Sequence, residues 1–410
     1  MIKKNLRTIL LGVVTLLLSY LYFLSAHTLE PLKPTIKNLQ IDNQKEEKEA
    51  LNYLNQLRQG AGLIPLSSAE ILNKASKNHA NYLIENHAYG HYEEHNRSNF
   101  TGKFASDRVV YEGYHTGLII ENVSSNNRSY KESIDGLFAA IYHRFAFLDF
   151  QGDEIGIGIN QNRFNRKETA FVYNIGSSTL NQLYKKSKKP SEKALNKALH
   201  SYKNINSKIV TYPFDKQTDV PPVFFNEMPD PLPDHDVSGF PISIAFNQAH
   251  FKKIKLLKFE LFKDGKTLIP NTLTYDNKTD PNRRLDKLSF VLFPLERLEW
   301  NQNYSVVFLA VVDKQLIEKK WSFKTRNPSI PLHKIEDESK TTTITVNEPN
   351  LFYFPPKNPK DLLHHIRCNP YFDMEFIDKN TLKITALKTS FVISHIQLGE
   401  HKLKLKIQNP

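Results

Sequence analysis

The sequence predicts an α+β protein in which a mixed helix-and-strand domain is followed by two β-rich domains. Three observations predict this class. Apolar residues recur at helical spacing between residues 46 and 142. After residue 211 they give way to short runs with period-two alternation. The 410 residues also exceed one average domain, at about 100–200 residues each.

The first residues predict export from the cytoplasm. Lys3, Lys4 and Arg7 precede residues 9–26, which carry no charge. Such a segment is either a cleaved signal peptide or an uncleaved anchor in the inner membrane. We assign residues 1–27 to it and residues 28–45 to a tether.

In both cases the remaining chain leaves the cytoplasm, since the basic residues stay inside. We therefore expect a periplasmic or cell-surface protein, either membrane-anchored or secreted. The net charge of +12 then favours anionic partners in the envelope, and export argues against nucleic acid as a partner. Cys368 is the single cysteine, so burial and not an internal disulfide must stabilise the fold.

Two helices open the mixed domain. Residues 46–62 carry apolar side chains at helical spacing and end in two glycines. Ser67 and Glu70 form a capping-box pattern that predicts the start of the second helix. His79 lies in the apolar stripe of that helix, where a hydrogen-bonded core histidine is expected.

A segment rich in His, Gly and Asn follows at residues 86–117 and is typical of a functional loop. The apolar residues 118–120 then predict a buried strand that ends at Glu121. A carboxylate in that position needs a partner, so Glu121 is a candidate site residue.

A third helix is predicted from the Ser129–Glu132 capping box to about Tyr142, with His143 in its last turn. The capping role is a sufficient explanation for Glu132. Two strands follow, and in the first of them Gly156 and Gly158 alternate with isoleucines. This alternation predicts that another element packs closely against one face of the strand.

Several segments in this order resemble the CAP superfamily, which comprises cysteine-rich secretory, antigen 5 and pathogenesis-related proteins and is also called SCP-like. The segments are "LNQLRQGAGLIPL", "NHANYLIENHAYGHYE", "ENV" and "YHRFAFLD", followed by "DEIGIGI". They are similar to the bacterial branch over about residues 46–177, which we assign to a CAP domain. The resemblance implies an α-β-α sandwich with a large cleft, which usually holds two histidines and two acidic residues.

The resemblance implies that His91, Glu121 and His143 face this cleft. The fourth, acidic position falls to Glu132 or Asp135. Two neutral imidazoles can ligate zinc or another divalent metal, with Glu121 as a further ligand or as the group that orients a ligand. A hydrogen-bonded polar network without a ligand is the alternative for the same three side chains.

The function that follows is the binding of an envelope lipid, glycan or peptide in the cleft, with a divalent metal as a possible cofactor. Glu93 is a further cleft candidate, and a solvent-facing position is its alternative. A hydrolase acting on envelope polymers or peptides is a second reading, although the sequence supplies no persuasive nucleophile. An adhesion or scaffold protein with an inert cleft is the third.

The remaining chain is divided by composition. Residues 178–210 are lysine-rich and predict a solvated linker, or a segment in contact with an anionic envelope surface. Residues 211–327 predict an immunoglobulin-like β-sandwich with a hairpin turn at Asp264 and Gly265. The acidic, proline-rich stretch 226–236 within it predicts a rigid, solvated turn. Residues 335–410 predict a small β-rich domain with a short helix at 359–366.

Overall fold

The computed structural model describes residues 40–409 except 202, 203, 365 and 368–370. The predicted signal segment, most of the tether and Cys368 lie outside the described residues. No helix in the described part of the chain is long and apolar enough to cross a membrane. The described residues form two compact units, one ending at Asn327 and one beginning at Pro328.

The first unit contains the described helices, which we number in chain order: α1 (Asn43–Gly60), α2 (Glu70–Glu85), α3 (Ala105–Tyr111), α4 (Tyr130–Ala139), α5 (Ile141–Phe147), α6 (Ser178–Lys186) and α7 (Glu192–His200).

Its strands are β1 (Ser67–Ser68), β2 (Ile120–Ser125), β3 (Glu154–Gln161), β4 (Thr169–Gly176), β5 (Ile209–Tyr212), β6 (Gln217–Val220), β7 (Val223–Phe225), β8 (Val237–Gly239), β9 (Ile242–Phe246), β10 (Ile254–Lys263), β11 (Thr267–Leu268), β12 (Thr272–Tyr275), β13 (Ser289–Pro294), β14 (Asn303–Val312) and β15 (Gln315–Thr325). The second unit contains β16 (Leu332–Lys334), β17 (Thr341–Thr345), β18 (Pro349–Tyr353), β19 (Ile366–Arg367), β20 (Phe372–Asp378), β21 (Thr381–Ala386), β22 (Ser390–Leu398) and β23 (His401–Gln408).

The first domain is a three-layer α-β-α sandwich, as expected. Its sheet has the order β1-β3-β4-β2. Gly156 and Gly158 of β3 lie against the backbone of α2. The alternating isoleucines of β3 point to the other face, where they share a core with Leu54 of α1 and Phe138 of α4. The glycine alternation thus marks the close approach of α2, as predicted.

Two predicted boundaries in this domain are wrong. Ser67 does not cap α2, because it pairs with Glu154 in the sheet, and Ala69 takes the N-cap position. Residues 118–120 are not a buried strand that ends at Glu121. Leu118 is 51% exposed, and β2 begins at Ile120, so Glu121 is the second residue of a strand and not the last of one.

The third predicted helix is broken into α4 and α5. Ser129 caps α4 by accepting from the Glu132 backbone N–H, as expected. Ala140, with ψ 114°, leaves the helical conformation, and α5 begins at Ile141. His143 therefore lies in the first turn of α5. The sequence predicts it in the last turn of a single, longer helix.

The basic segment after the first domain was predicted to be a solvated linker. It contains the two short helices α6 and α7. Leu180 and Ala198 are buried, because each helix turns one apolar face inward. The lysines that the structure describes in this segment are exposed, as expected for a solvated surface.

The predicted β-sandwich follows. Its sheets have the orders β11-β10-β14-β15-β6 and β12-β13-β9-β5, and they enclose a common core. Across that core the Phe290 and Phe308 rings lie 5.6 Å apart between centroids. The predicted hairpin at Asp264 and Gly265 joins β10 to β11, with Gly265 at φ +68°. The core continues into the first domain, where Phe138 stacks on Tyr212 at 4.5 Å.

The second unit is β-rich, as predicted, with two four-stranded sheets in the orders β16-β18-β21-β20 and β17-β23-β22-β19. The short helix predicted at 359–366 is wrong for the residues described there. Leu363 donates its backbone N–H to Lys379, and Lys357 donates to the Asp361 carboxylate. Eight residues with such competing partners are too few to form a helix on their own.

Candidate functional site

Two of the predicted site residues are hydrogen-bonded to each other. Strand β2 places Glu121, and the loop after α2 places His91, so that Nδ1 of the imidazole lies 3.0 Å from the carboxylate Oε1. The Glu121 side chain is 4% exposed and that of His91 is 43% exposed. The carboxylate is thus buried behind an imidazole that reaches solvent.

Arg108 of α3 holds this pair, and its charge was its only signal in the sequence. Its guanidinium donates to both Glu121 oxygens, at 2.9 and 2.7 Å, and to the backbone carbonyl of His91 at 3.0 Å. Burial alone raises the pKa of Glu121, but the hydrogen bond from His91 and the charge of Arg108 outweigh it and lower that pKa below its ordinary value. Glu121 is therefore an ionised acceptor at neutral pH.

The third predicted residue lies beside the first. The His143 ring stacks on the His91 ring with centroids 6.5 Å apart and planes 15° from parallel. Asn122, next to Glu121 on β2, donates to the His143 carbonyl at 2.9 Å and so ties α5 to the sheet. Residues that are far apart in sequence therefore converge at one place.

A second carboxylate reaches this place from the β-sandwich. Glu227, in the loop between β7 and β8, lies with Oε2 3.1 Å from His143 Nδ1, and its Oε1 accepts the Ile141 N–H at 2.7 Å. Its side chain is 6% exposed, so this part of the stretch 226–236 is not the solvated turn that was predicted. The only sequence signal was the acidic character of that stretch.

The two residues offered for the fourth, acidic position lie elsewhere. Asp135 accepts from the Tyr53 hydroxyl at 2.5 Å and from Arg326 at 2.9 Å, in a network that joins α1 and α4 to the β-sandwich. Glu132 pairs with Arg128 on the surface of α4. Asp135 is thus an inter-domain ion-pair residue, because its place on α4 faces Arg326 and not the histidines.

Glu93 takes neither of its predicted positions. It is 2% exposed and pairs with His79 at 2.9 Å, and it also accepts from the Thr101 N–H at 2.7 Å. His79 is fully buried and donates or accepts at both ring nitrogens, as expected for a core histidine. Glu93 adjoins the site through Arg108, whose Nε lies 3.7 Å from the Glu93 carboxylate.

The chemistry of the site follows from which nitrogens are engaged. Each ring directs Nδ1 to a carboxylate, and within the described residues neither ring makes a hydrogen bond through Nε2. A carboxylate at Nδ1 keeps the proton there and leaves the Nε2 lone pair of a neutral ring free. Both Glu121 oxygens are engaged by Arg108, so this carboxylate orients a ring and is poorly placed as a direct metal ligand.

Among the residues that the structure describes, no cluster of three or more His, Cys, Asp or Glu side chains is arranged to hold a metal ion. The site therefore offers two imidazole nitrogens and no complete protein cage. Such a pair leaves the other coordination positions of a bound metal open to water or to a ligand.

Comparison with solved structures finds bacterial proteins of low identity. An outer surface protein from Borrelia burgdorferi is 21% identical, with 34% of this chain and 98% of that chain covered and a TM-score of 0.30. An extracellular SCP-domain protein from Bacillus anthracis is 18% identical, with 36% and 45% covered and a TM-score of 0.29. A cysteine-rich secretory protein from Staphylococcus aureus is 16% identical, with 33% and 40% covered and a TM-score of 0.21.

Comparison with curated proteins finds no match. Comparison with protein-family models gives one match, to the CAP family, described as the cysteine-rich secretory protein family, over residues 51–175. That range covers the α-β-α sandwich from α1 to the end of β4, and it includes His91, Glu121 and His143. Residues 51–175 of the chain thus form a CAP domain.

Proposed function

We propose that this exported protein binds an extracytoplasmic ligand at the paired imidazoles of its CAP domain, and that a divalent cation, zinc first, binds at their Nε2 atoms. The observation that carries the proposal is the pairing itself. His91 and His143 stack in parallel, each with a carboxylate at Nδ1 and a free Nε2. Neutral imidazoles whose Nδ1–H is held by a carboxylate are the usual nitrogen ligands of zinc.

Accessibility supports a binding role. The side chains of His91 and His143 are 43% and 19% exposed, whereas the groups behind them are buried. Tyr92, which follows His91, is 63% exposed and makes an edge-to-face contact with Phe104, itself 46% exposed. Exposed aromatic rings of this kind suit an organic ligand such as an envelope glycan, peptide or lipid.

The hydrolase reading has less support. Among the described residues no serine, threonine or cysteine side chain hydrogen-bonds to either imidazole, so no side-chain nucleophile is activated there by a base. Hydrolysis at this site would need a water on the proposed metal as its nucleophile, whereas binding needs only the groups present, and binding is therefore the function that they support best.

Titration of the purified full chain with zinc chloride in a calorimeter tests the proposal. We expect wild type to bind, and His91→Ala and His143→Ala each to lose about 100-fold or more in affinity, because each substitution removes one of two nitrogen ligands. His95→Ala is the matched control, since His95 is an exposed histidine of the same loop. Equal zinc binding by wild type and both site variants would refute the proposal and leave the inert-scaffold reading.

A further inference from the structure

We propose that Glu227 is a positioning residue of the histidine site, so that the CAP-domain site is complete only when the β-sandwich is docked against it. This inference rests on the proposed function for its effect on binding, but its structural part stands apart from any ligand. It assigns to a loop of the second domain the role of a carboxylate that the first domain does not itself supply.

The first argument is the symmetry of the two rings. Glu121 holds His91 at Nδ1 at 3.0 Å, and Glu227 holds His143 at Nδ1 at 3.1 Å. Both carboxylates are buried, and both have their second oxygen engaged, by Arg108 and by the Ile141 N–H. A carboxylate fixed in this way sets the orientation and the tautomer of the ring it contacts.

The second argument is that the helix of His143 is itself held by the β-sandwich. Tyr142 donates its hydroxyl to Asp280 at 2.5 Å and accepts from Asn282 at 3.0 Å. The residue on the other side of His143 is Arg144, which donates to the Pro241 carbonyl at 2.8 Å. Three consecutive residues of α5 therefore contact the second domain, and the imidazole lies in the middle of them.

The third argument is that the loop of Glu227 is held in place by its own packing and hydrogen bonds. Leu232 is 2% exposed and packs in one cluster with Ile141 of α5 and Phe224 of β7. Asp230 caps the turn by accepting the Leu232 N–H at 2.8 Å, and its carbonyl accepts from Asn282 at 2.7 Å. Both the carboxylate and the helix it contacts are thus fixed by contacts that do not involve the ring.

Glu227→Gln in the full chain is the decisive substitution. The amide has one acceptor oxygen, whereas the Ile141 N–H and the His143 Nδ1–H both need one. If the oxygen keeps Ile141, the amide NH₂ faces Nδ1 and drives the proton to Nε2, which removes the free lone pair. The matched control is Asp234→Asn, since Asp234 is an exposed carboxylate of the same loop.

Two readouts separate this inference from the proposed function. The first is the tautomer of His143 in metal-free protein, from ¹⁵N NMR of histidine-labelled chain with the signal assigned by His143→Ala. We expect the Nδ1–H form in wild type and in Asp234→Asn, and its loss in Glu227→Gln. A stability defect alone would not change this tautomer in the folded protein.

The second readout is zinc affinity by calorimetry. We expect Glu227→Gln to weaken binding by about 10- to 100-fold, the usual effect of removing a carboxylate that orients a metal-bound histidine. An unchanged His143 tautomer in Glu227→Gln would overturn the inference, and so would an unchanged zinc affinity in a wild type that binds. If wild type binds no zinc, the proposed function fails, and the tautomer alone decides the role of Glu227.

Discussion

The packing of α2 on β3 predicts a large penalty for one methyl group. In Gly158→Ala the new Cβ would lie 2.2 Å from the Ser76 carbonyl carbon and 2.3 Å from the Lys77 nitrogen. Both atoms belong to the helix backbone, so no side-chain rotamer relieves the clash. Reaching the 3.4 Å of an ordinary contact from 2.2 Å requires α2 to retreat by about 1.2 Å.

That retreat also strains the bonds between α2 and the sheet. Ser76 donates to the Gly156 carbonyl at 3.1 Å and accepts from Asn174 at 2.8 Å. Overpacking costs about 1–3 kcal/mol, and each of two weakened hydrogen bonds adds about 1 kcal/mol. We therefore expect Gly158→Ala to lower the free energy of unfolding of the CAP domain by about 3–5 kcal/mol.

Gly136→Ala is the matched control. Gly136 lies exposed in α4, and a Cβ there meets nothing within 4 Å, so we expect this variant to gain about 0.5–1 kcal/mol from helix propensity. Hydrogen exchange of the α2 and β3 amides in urea is the suitable assay, because the two units of the chain need not unfold together. If the α2 and β3 amides are as well protected from exchange in Gly158→Ala as in Gly136→Ala, then α2 does not approach β3 as closely as described.

Three further predictions concern buried charge. Glu121→Gln leaves Arg108 without its bidentate carboxylate, and we expect a loss of about 3 kcal/mol in the urea denaturation of the CAP domain; an unchanged midpoint would contradict the pairing. His401→Gln removes the ring that lies 2.8 Å from Glu338 and 3.0 Å from Asp361. We expect a comparable loss of stability, seen as faster hydrogen exchange within residues 328–409 only. Burial raises the pKa of Glu338, but hydrogen bonds from neighbouring side chains and from a backbone N–H outweigh burial, so this pKa lies below the ordinary 4.5. The ionised Glu338 therefore stabilises the fold above that pH, and this stabilisation is lost as the pH falls further. A free energy of opening in residues 328–409, taken from exchange rates corrected for their intrinsic pH dependence, that does not fall between pH 5 and pH 3 would refute the last of these.

Periodic patterns predicted most of the fold, because they report contacts that repeat along one element. The isoleucines and glycines of β3 show both of its faces in the sequence, and the structure places a helix against each. The Ser129–Glu132 box found the start of α4 for the same reason, since the capping residues are neighbours in sequence.

The helix break at Ala140 was not predictable from such patterns. The residues on either side continue a helical spacing, and nothing local ends it. The break is stabilised by a residue that is distant in sequence, because the Glu227 carboxylate accepts the Ile141 N–H. Because that partner is 86 residues away in sequence, a local reading places His143 at the end of one helix instead of at the start of the next.

The candidate site divides in the same way. The resemblance named His91, Glu121 and His143, and the structure brings them together, whereas the acidic fourth position was sought on the helix before His143. Glu132 and Asp135 were the two candidates there, but Asp135 has an arginine of the β-sandwich within 2.9 Å. The carboxylate that does contact His143 belongs to another domain, which a resemblance confined to the first domain could not indicate.

Docking of the two domains and orientation of the His143 ring depend on the same contacts, because α5 carries this ring and also packs against the β-sandwich. Arg144 lies over the faces of Tyr212 and Phe240 at 5.1 and 4.9 Å, with its Nε donating to the Phe138 carbonyl at 2.6 Å. The guanidinium therefore binds the end of α4 and the β-sandwich at once, one residue from the imidazole. A displacement of the β-sandwich would move this anchor and the Glu227 carboxylate together, and the ring between them would lose its orientation. A ligand that depends on Nε2 of His143 must by the same linkage favour the docked arrangement of the domains.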